Sequence, residues 1–103
     1  MANKTYVMVD NSTSATGTST AVELSRPRHR TLSFQVTNSN ESAAVSIQAR
    51  LKGETNWATL DTFTSTESDD GSLIVTDHGW HEFRASWTGN TGTLRVVVGW
   101  LER

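Results

Sequence analysis

Three histidines, one arginine-rich run and four tryptophans are the side chains of this 103-residue chain best equipped for chemistry or recognition. His78 and His81 stand three apart across a glycine, and Asp77 or Glu82 would be the third ligand of a metal site there. That spacing matches no regular ligand pattern, and histidines at the rim of a strand account for it more simply. The acidic group Glu67, Asp69 and Asp70 before Gly71 lacks the alternating oxygen ligands and the closing glutamate of a calcium loop, so it reads as a solvated turn. No glycine-rich phosphate cradle opens a helix, no serine sits in a nucleophile elbow, and nothing in the sequence brings a carboxylate pair such as Asp61 and Asp77 together. With no cysteine, thiolate ligands, thiol nucleophiles and disulfides are excluded together. The expectation is a protein without catalytic site, metal or cofactor.

The run SRPRHR, Ser25 to Arg30, concentrates charge in a chain whose formal net charge is −2. Arginine forms paired hydrogen bonds with carboxylates, so Arg26, Arg28, His29 and Arg30 are candidates for docking onto an acidic protein surface. The overall charge offers no field for a phosphate backbone or an anionic bilayer, and no aromatic platform accompanies the run; neither nucleic acid nor membrane is an expected partner. The opening MANKTYVMVD carries neither the apolar core of a secretion signal nor a membrane-spanning run, which gives the expectation of a soluble, unprocessed chain.

The elements that must position these residues are strands. Leu32, Phe34 and Val36 alternate with Ser33 and Gln35, and Val45, Ile47, Ala49 and Leu51 alternate with Ser46, Gln48 and Arg50, the period of a half-buried strand. Similar runs lie at 4–9, 20–24, 57–63, 72–76, 80–87 and 93–101, separated by Asn, Asp, Ser and Gly turn signals at intervals of roughly 8–12 residues. No window shows sustained helical spacing. The pattern predicts one all-β domain over residues 1–103, an antiparallel two-layer β-sandwich of about eight strands, jelly-roll or immunoglobulin-like. The segments 31–37 and 45–51 are expected to pair as a hairpin across residues 38–42. Residues 11–19, small and polar almost throughout, are expected to form a flexible loop, or an arm that orders against a neighbour.

Indole burial removes a large apolar area from water, so a chain with only 35% hydrophobic residues should keep its tryptophans inside. Trp57, Leu60, Phe63, Phe34, Trp87 and Trp100 are the expected core. Trp57, Leu60 and Phe63 do not share a strand face by simple alternation, and a bulge near Leu60 or Asp61 is expected to bring them together. The competing reading makes Trp57 or Trp80 a platform for sugar rings. The last run, TLRVVVGWLER, is apolar on both faces; Val97 and Leu101, beside Arg95 and Gly99, are therefore candidates for self-association.

The segments GTSTAVEL (Gly17 to Leu24), TLSFQVTN, AAVSIQARLKG, the turn leading to Trp57-Ala-Thr-Leu60, and WHEFRASWTGNTGTLRVVVGW resemble small β-sandwich virion proteins of tailed bacteriophages, of the capsid decoration or cement type. The resemblance spans nearly the whole chain. It implies a non-enzymatic structural protein that reinforces a phage head by binding the major capsid protein or other virion proteins, self-assembles as an oligomer, with a trimer favoured, and resides in the virion after assembly in the host cytoplasm. A neck or tail component, or a carbohydrate-binding, receptor-binding module, are the alternatives.

Overall fold

The computed structural model describes residues 2–38, 43–65, 71–76 and 78–102. Among these residues nine strands follow in order: β1 (Ala2–Ser12), β2 (Gly17–Thr18), β3 (Val22–Glu23), β4 (Leu32–Asn38), β5 (Ala43–Arg50), β6 (Ala58–Ser65), β7 (Gly71–Val75), β8 (Glu82–Thr88) and β9 (Leu94–Glu102). They form two antiparallel sheets. The first has the order β1-β9-β4-β7; the second runs β2-β8-β5-β6, with β3 pairing on β8 beyond β2. The two-layer sandwich expected from the alternation is what forms.

Alternation is the cause of the layering. Leu32, Phe34 and Val36 of β4, Val45, Ile47 and Ala49 of β5, Phe83, Ala85 and Trp87 of β8, and Leu94, Val96 and Val98 of β9 are all buried. Each strand sends every second side chain into the space between the sheets. Phe34 from one sheet meets Phe83 from the other with ring centroids 5.5 Å apart. Phe34 and Trp87 are core residues, and Leu60, Phe63 and Trp100 pack half-buried against the core. On the edge strand β1 the register slips between Val7 and Val9, so the consecutive residues Met8 and Val9 both turn inward.

Two expectations are corrected. Strands β4 and β5 do not form a hairpin: β4 pairs with β7 and β9 in one sheet, whereas β5 pairs with β6 and β8 in the other. A strand with one apolar face satisfies its pattern equally well in either layer, so alternation could not decide the partner. The residues connecting them, 39–42, lie outside the described set, as do the acidic turn residues Glu67, Asp69 and Asp70. Trp57 is not in the core. Strands β5 and β6 do pair, and their register does slip at Leu60, since Ile47 stands opposite Asp61 and Gln48 opposite Thr59. That single extra residue brings Leu60 to the side of Phe63. Trp57, three residues before Leu60, is thereby sent to the outer face, where Arg50 lies across the ladder; returning it inward would take a second slip.

The polar segment after β1 is tied to the second sheet. The Trp87 indole Nε1 donates to the Ser14 carbonyl at 3.0 Å, and buried Asn90 donates from its amide to the Ser12 and Ser14 carbonyls at 3.1 and 3.0 Å. The Asn90 backbone N–H donates to Ala15 at 3.0 Å, and the Ala85 N–H donates to the Ser19 hydroxyl at 2.8 Å. Carbonyls that a loop would expose are thus answered by a buried tryptophan and a buried asparagine.

A basic cleft as candidate functional site

The arginine run folds as one 3-10 turn, Pro27–His29, entered by Arg26 in extended conformation. Proline suits this start, since its fixed φ is pre-set for the turn and its missing N–H would have had no partner there. The His29 N–H donates to the Arg26 carbonyl at 2.8 Å and the Arg30 N–H to Pro27 at 3.3 Å. His29 is the inward member of the run, 5% exposed, with its ring edge-on to Trp100 at 4.8 Å. It therefore anchors the turn and is not available as a contact residue. In so tight a turn, burying one residue throws its neighbours out: Arg26, Arg28 and Arg30 are exposed.

A second histidine fastens the turn from outside. His78 Nε2 donates to the His29 carbonyl at 2.6 Å, and His78 Nδ1 accepts from the Trp80 N–H at 3.1 Å. A carbonyl only accepts and a backbone N–H only donates, so the pair of bonds makes Nε2 the donor and Nδ1 the acceptor of the His78 ring. His81 turns elsewhere, its Nε2 lying 3.8 Å from a Glu23 carboxylate oxygen. The two histidines that the sequence sets three apart are thus engaged with different groups. Among the described residues no three of His, Asp and Glu gather in a way that could hold a metal ion. Asp77 lies outside that set.

Arg28 and Arg30 frame a cleft of about 820 Å³ at the end of the first sheet where β1 begins and β9 finishes. It crosses Thr5, Gly99 and Ser33, which stand in register on neighbouring strands. Gly99 keeps this row low: a Cβ there would sit 3.4 Å from the Lys4 carbonyl and 3.6 Å from the Thr5 methyl. Lys4, Arg28 and Arg30 line the cleft and no carboxylate does so among the described residues. Leu101, 46% exposed, forms its apolar margin. Arg26 lines a smaller neighbouring hollow with Glu23, Tyr6 and Trp100. The run therefore splits: Arg28 and Arg30 serve one concave site whose charged lining among the described residues is cationic, Arg26 borders another, and His29 is the pin between them. Lys4 was missed by the sequence reading, because only the pairing of β1 with β9 brings it within reach of the turn. Such a cleft can accept an acidic segment of another protein, with the guanidinium groups taking carboxylates.

Val97 sits half-buried on the outer face of the first sheet, between Val7 on β1 and Gln35 on β4. Ile74, 67% exposed on the edge strand β7, adds to the apolar groups this sheet exposes. The aromatic candidates for sugar stacking are otherwise engaged. Trp80 packs half-buried on the core, and the Trp57 ring has the guanidinium carbons of Arg50 and Arg84 each 4.4 Å from its centroid.

The fold defined by these elements is a two-sheet antiparallel β-sandwich with short edge pieces on β8 and no helix beyond the single 3-10 turn among the described residues. No protein-family model matches the chain, and no curated protein matches it in sequence. Among solved structures the fold is shared with the SPBc2 prophage-derived protein YomS, at a TM-score of 0.74 and 10% identity over 98% of this chain and 94% of that one. It also resembles PirA, at a TM-score of 0.52 and 10% identity over 96% and 93% of the two chains.

Proposed function

We propose that this chain is a non-enzymatic structural component of a phage particle that docks through its basic cleft onto acidic surfaces of the major capsid protein, acting as a decoration protein. The cleft carries the reading: three cationic side chains converge on a concave site with no lining carboxylate among the described residues, in a chain that is acidic overall. The near end-to-end fold match to a prophage-derived protein supports placing it in a phage. Binding across neighbouring shell subunits stabilises a shell by mass action, because contacts made only with the assembled form shift the equilibrium toward it. Val97 and Leu101, on the outer face of the first sheet beside the cleft, are the surface proposed for self-association into an oligomer, with a trimer favoured.

The test is incorporation. Gradient-purified particles are analysed by mass spectrometry and cryo-electron microscopy with the wild-type chain and with the double variant Lys4→Glu/Arg30→Glu. Both side chains are exposed, so folding should be little affected, whereas reversing two charges in the cleft should weaken particle binding by about tenfold or more, chiefly through a slower on-rate. Many copies arrayed over the head support decoration. A few copies at the portal end would transfer the chain to a neck or tail role, and absence from the particle would end the virion reading.

A further inference from the structure

The outer face of the second sheet carries a second arrangement of arginines, built differently from the cleft. Arg50 on β5, Arg84 on β8 and Trp57 before β6 converge there: each guanidinium carbon lies 4.4 Å from the centre of the indole ring. The two cationic carbons are therefore no further apart than twice that distance. Both side chains are held in place. Arg50 Nε donates to Glu82 Oε1 at 2.8 Å, and Arg84 Nε donates to Gln48 Oε1 at 2.8 Å. The Gln48 amide nitrogen donates in turn to Thr59 Oγ1 at 3.3 Å. In each guanidinium the Nε edge is committed, and the terminal nitrogens make no hydrogen bond among the described residues. Arg50 and Glu82 have side chains only 26% exposed, so the pair is partly withdrawn from water.

Two like charges brought over one ring repel. The π face and one carboxylate offset part of that repulsion, and Glu23, cross-strand from Glu82, is turned toward His81 at 3.8 Å. Two guanidinium groups against Glu82 leave one net positive charge. A single carboxylate brings the cluster to neutrality, whereas a phosphate dianion overshoots it. The geometry points to a carboxylate-binding site at Arg50 and Arg84, stacked on Trp57, that takes an aspartate or glutamate side chain of a protein partner. Trp and Arg are also the residues that most often dominate binding energy at protein interfaces. Because the site lies on the sheet opposite the cleft, in a molecule only 17 Å through its thinnest dimension, a chain using both would join two neighbours.

The site is tested without any particle, so its outcome is separate from that of the virion reading. Labelled protein at low salt is titrated with hexaglutamate peptide and, separately, with inorganic phosphate, following the Nε–H signals of Arg50 and Arg84 and the indole N–H of Trp57 by NMR. Saturable shifts of all three with the peptide are expected. Arg84→Gln should weaken peptide binding at this site by about tenfold, the scale of one charge-assisted hydrogen bond, and Arg84→Lys should fail to restore it for lack of the planar fork. Arg50→Gln serves in the same way should the position 84 variants not fold. Peptide shifts confined to Arg28 and Arg30, shifts at Arg50 and Arg84 that never saturate, or tighter binding of phosphate than of peptide would each overturn the proposal.

Discussion

Replacing Gly17 by alanine is the sharpest test of whether the polar segment after β1 is part of the packed structure. Gly17 pairs with Trp87 across the ladder, and a Cβ built on it would lie 2.4 Å from Trp87 Cζ2 and 2.7 Å from Cη2. Carbon atoms in good contact stand about 3.5–4.0 Å apart, so the methyl group is short of room by roughly 1 Å or more. The ring has little freedom to retreat, because Trp87 is buried among core residues and its Nε1 is tied to the Ser14 carbonyl at 3.0 Å. Either the indole leaves its position and loses that bond, or β2 lifts off β8. Overpacking of this kind costs about 1–3 kcal/mol, and each kcal/mol lowers the melting temperature of a domain this size by about 4–8 °C. Gly17 does not have a positive φ, so the effect is steric and not a matter of backbone strain. Gly79→Ala is the control: a Cβ there meets nothing within 4 Å, and the substitution should be neutral or stabilise by about 0.4–1 kcal/mol through the unfolded chain. The measurement is differential scanning calorimetry of both variants with tryptophan emission as a second probe. Equal melting temperatures for wild type and Gly17→Ala would mean that residues 11–19 stand away from Trp87, and the packing described for the segment would be wrong.

Other consequences follow from the same contacts. Phe34→Ala should cost about 3–5 kcal/mol in denaturant unfolding, whereas Trp57→Ala should cost about 1–2 kcal/mol, since its ring lies under two guanidinium groups outside the core; a reversed order would return Trp57 to the interior. Asn90→Ala leaves the Ser12 and Ser14 carbonyls without their amide donor and should cost about 1–3 kcal/mol, read as a lower melting temperature with earlier hydrogen exchange at the backbone N–H of position 90, which donates to the Ala15 carbonyl. Asp10→Asn breaks the 3.0 Å pair with Arg95, whose side chains are 42% and 73% exposed for Arg95 and Asp10; the change in unfolding free energy should stay within about 0.5 kcal/mol and vanish at high salt.

How much of the molecule its sequence discloses depends on the range of the interaction that fixes each feature. Whether a segment is a strand is decided by its own alternation, and the runs around Phe34 and Ile47 announce both their extent and their buried face. Which strand lies beside which is decided by contacts between segments far apart in the chain. That is why β4 beside β9 could not be foreseen and a local hairpin with β5 looked natural. The β6 bulge lies between these cases. Leu60 and Phe63, odd in spacing and both apolar, announce a slip, but the parity of the slip also fixes Trp57, and large apolar character alone pointed it the wrong way.

The arginine run follows the same logic at the level of the site. Its composition announces a cationic surface, yet no local rule distinguishes His29 from its neighbours, because what selects it is the Trp100 ring arriving from β9 and the His78 imidazole closing over its carbonyl. Lys4 and the Arg50–Trp57–Arg84 cluster are assembled only by strand pairing, so composition is silent about both. The surfaces a small sandwich offers to partners are therefore less legible than its core. The core is written as a period within each strand, while a surface site is written across strands, in the register that places one outward residue beside another.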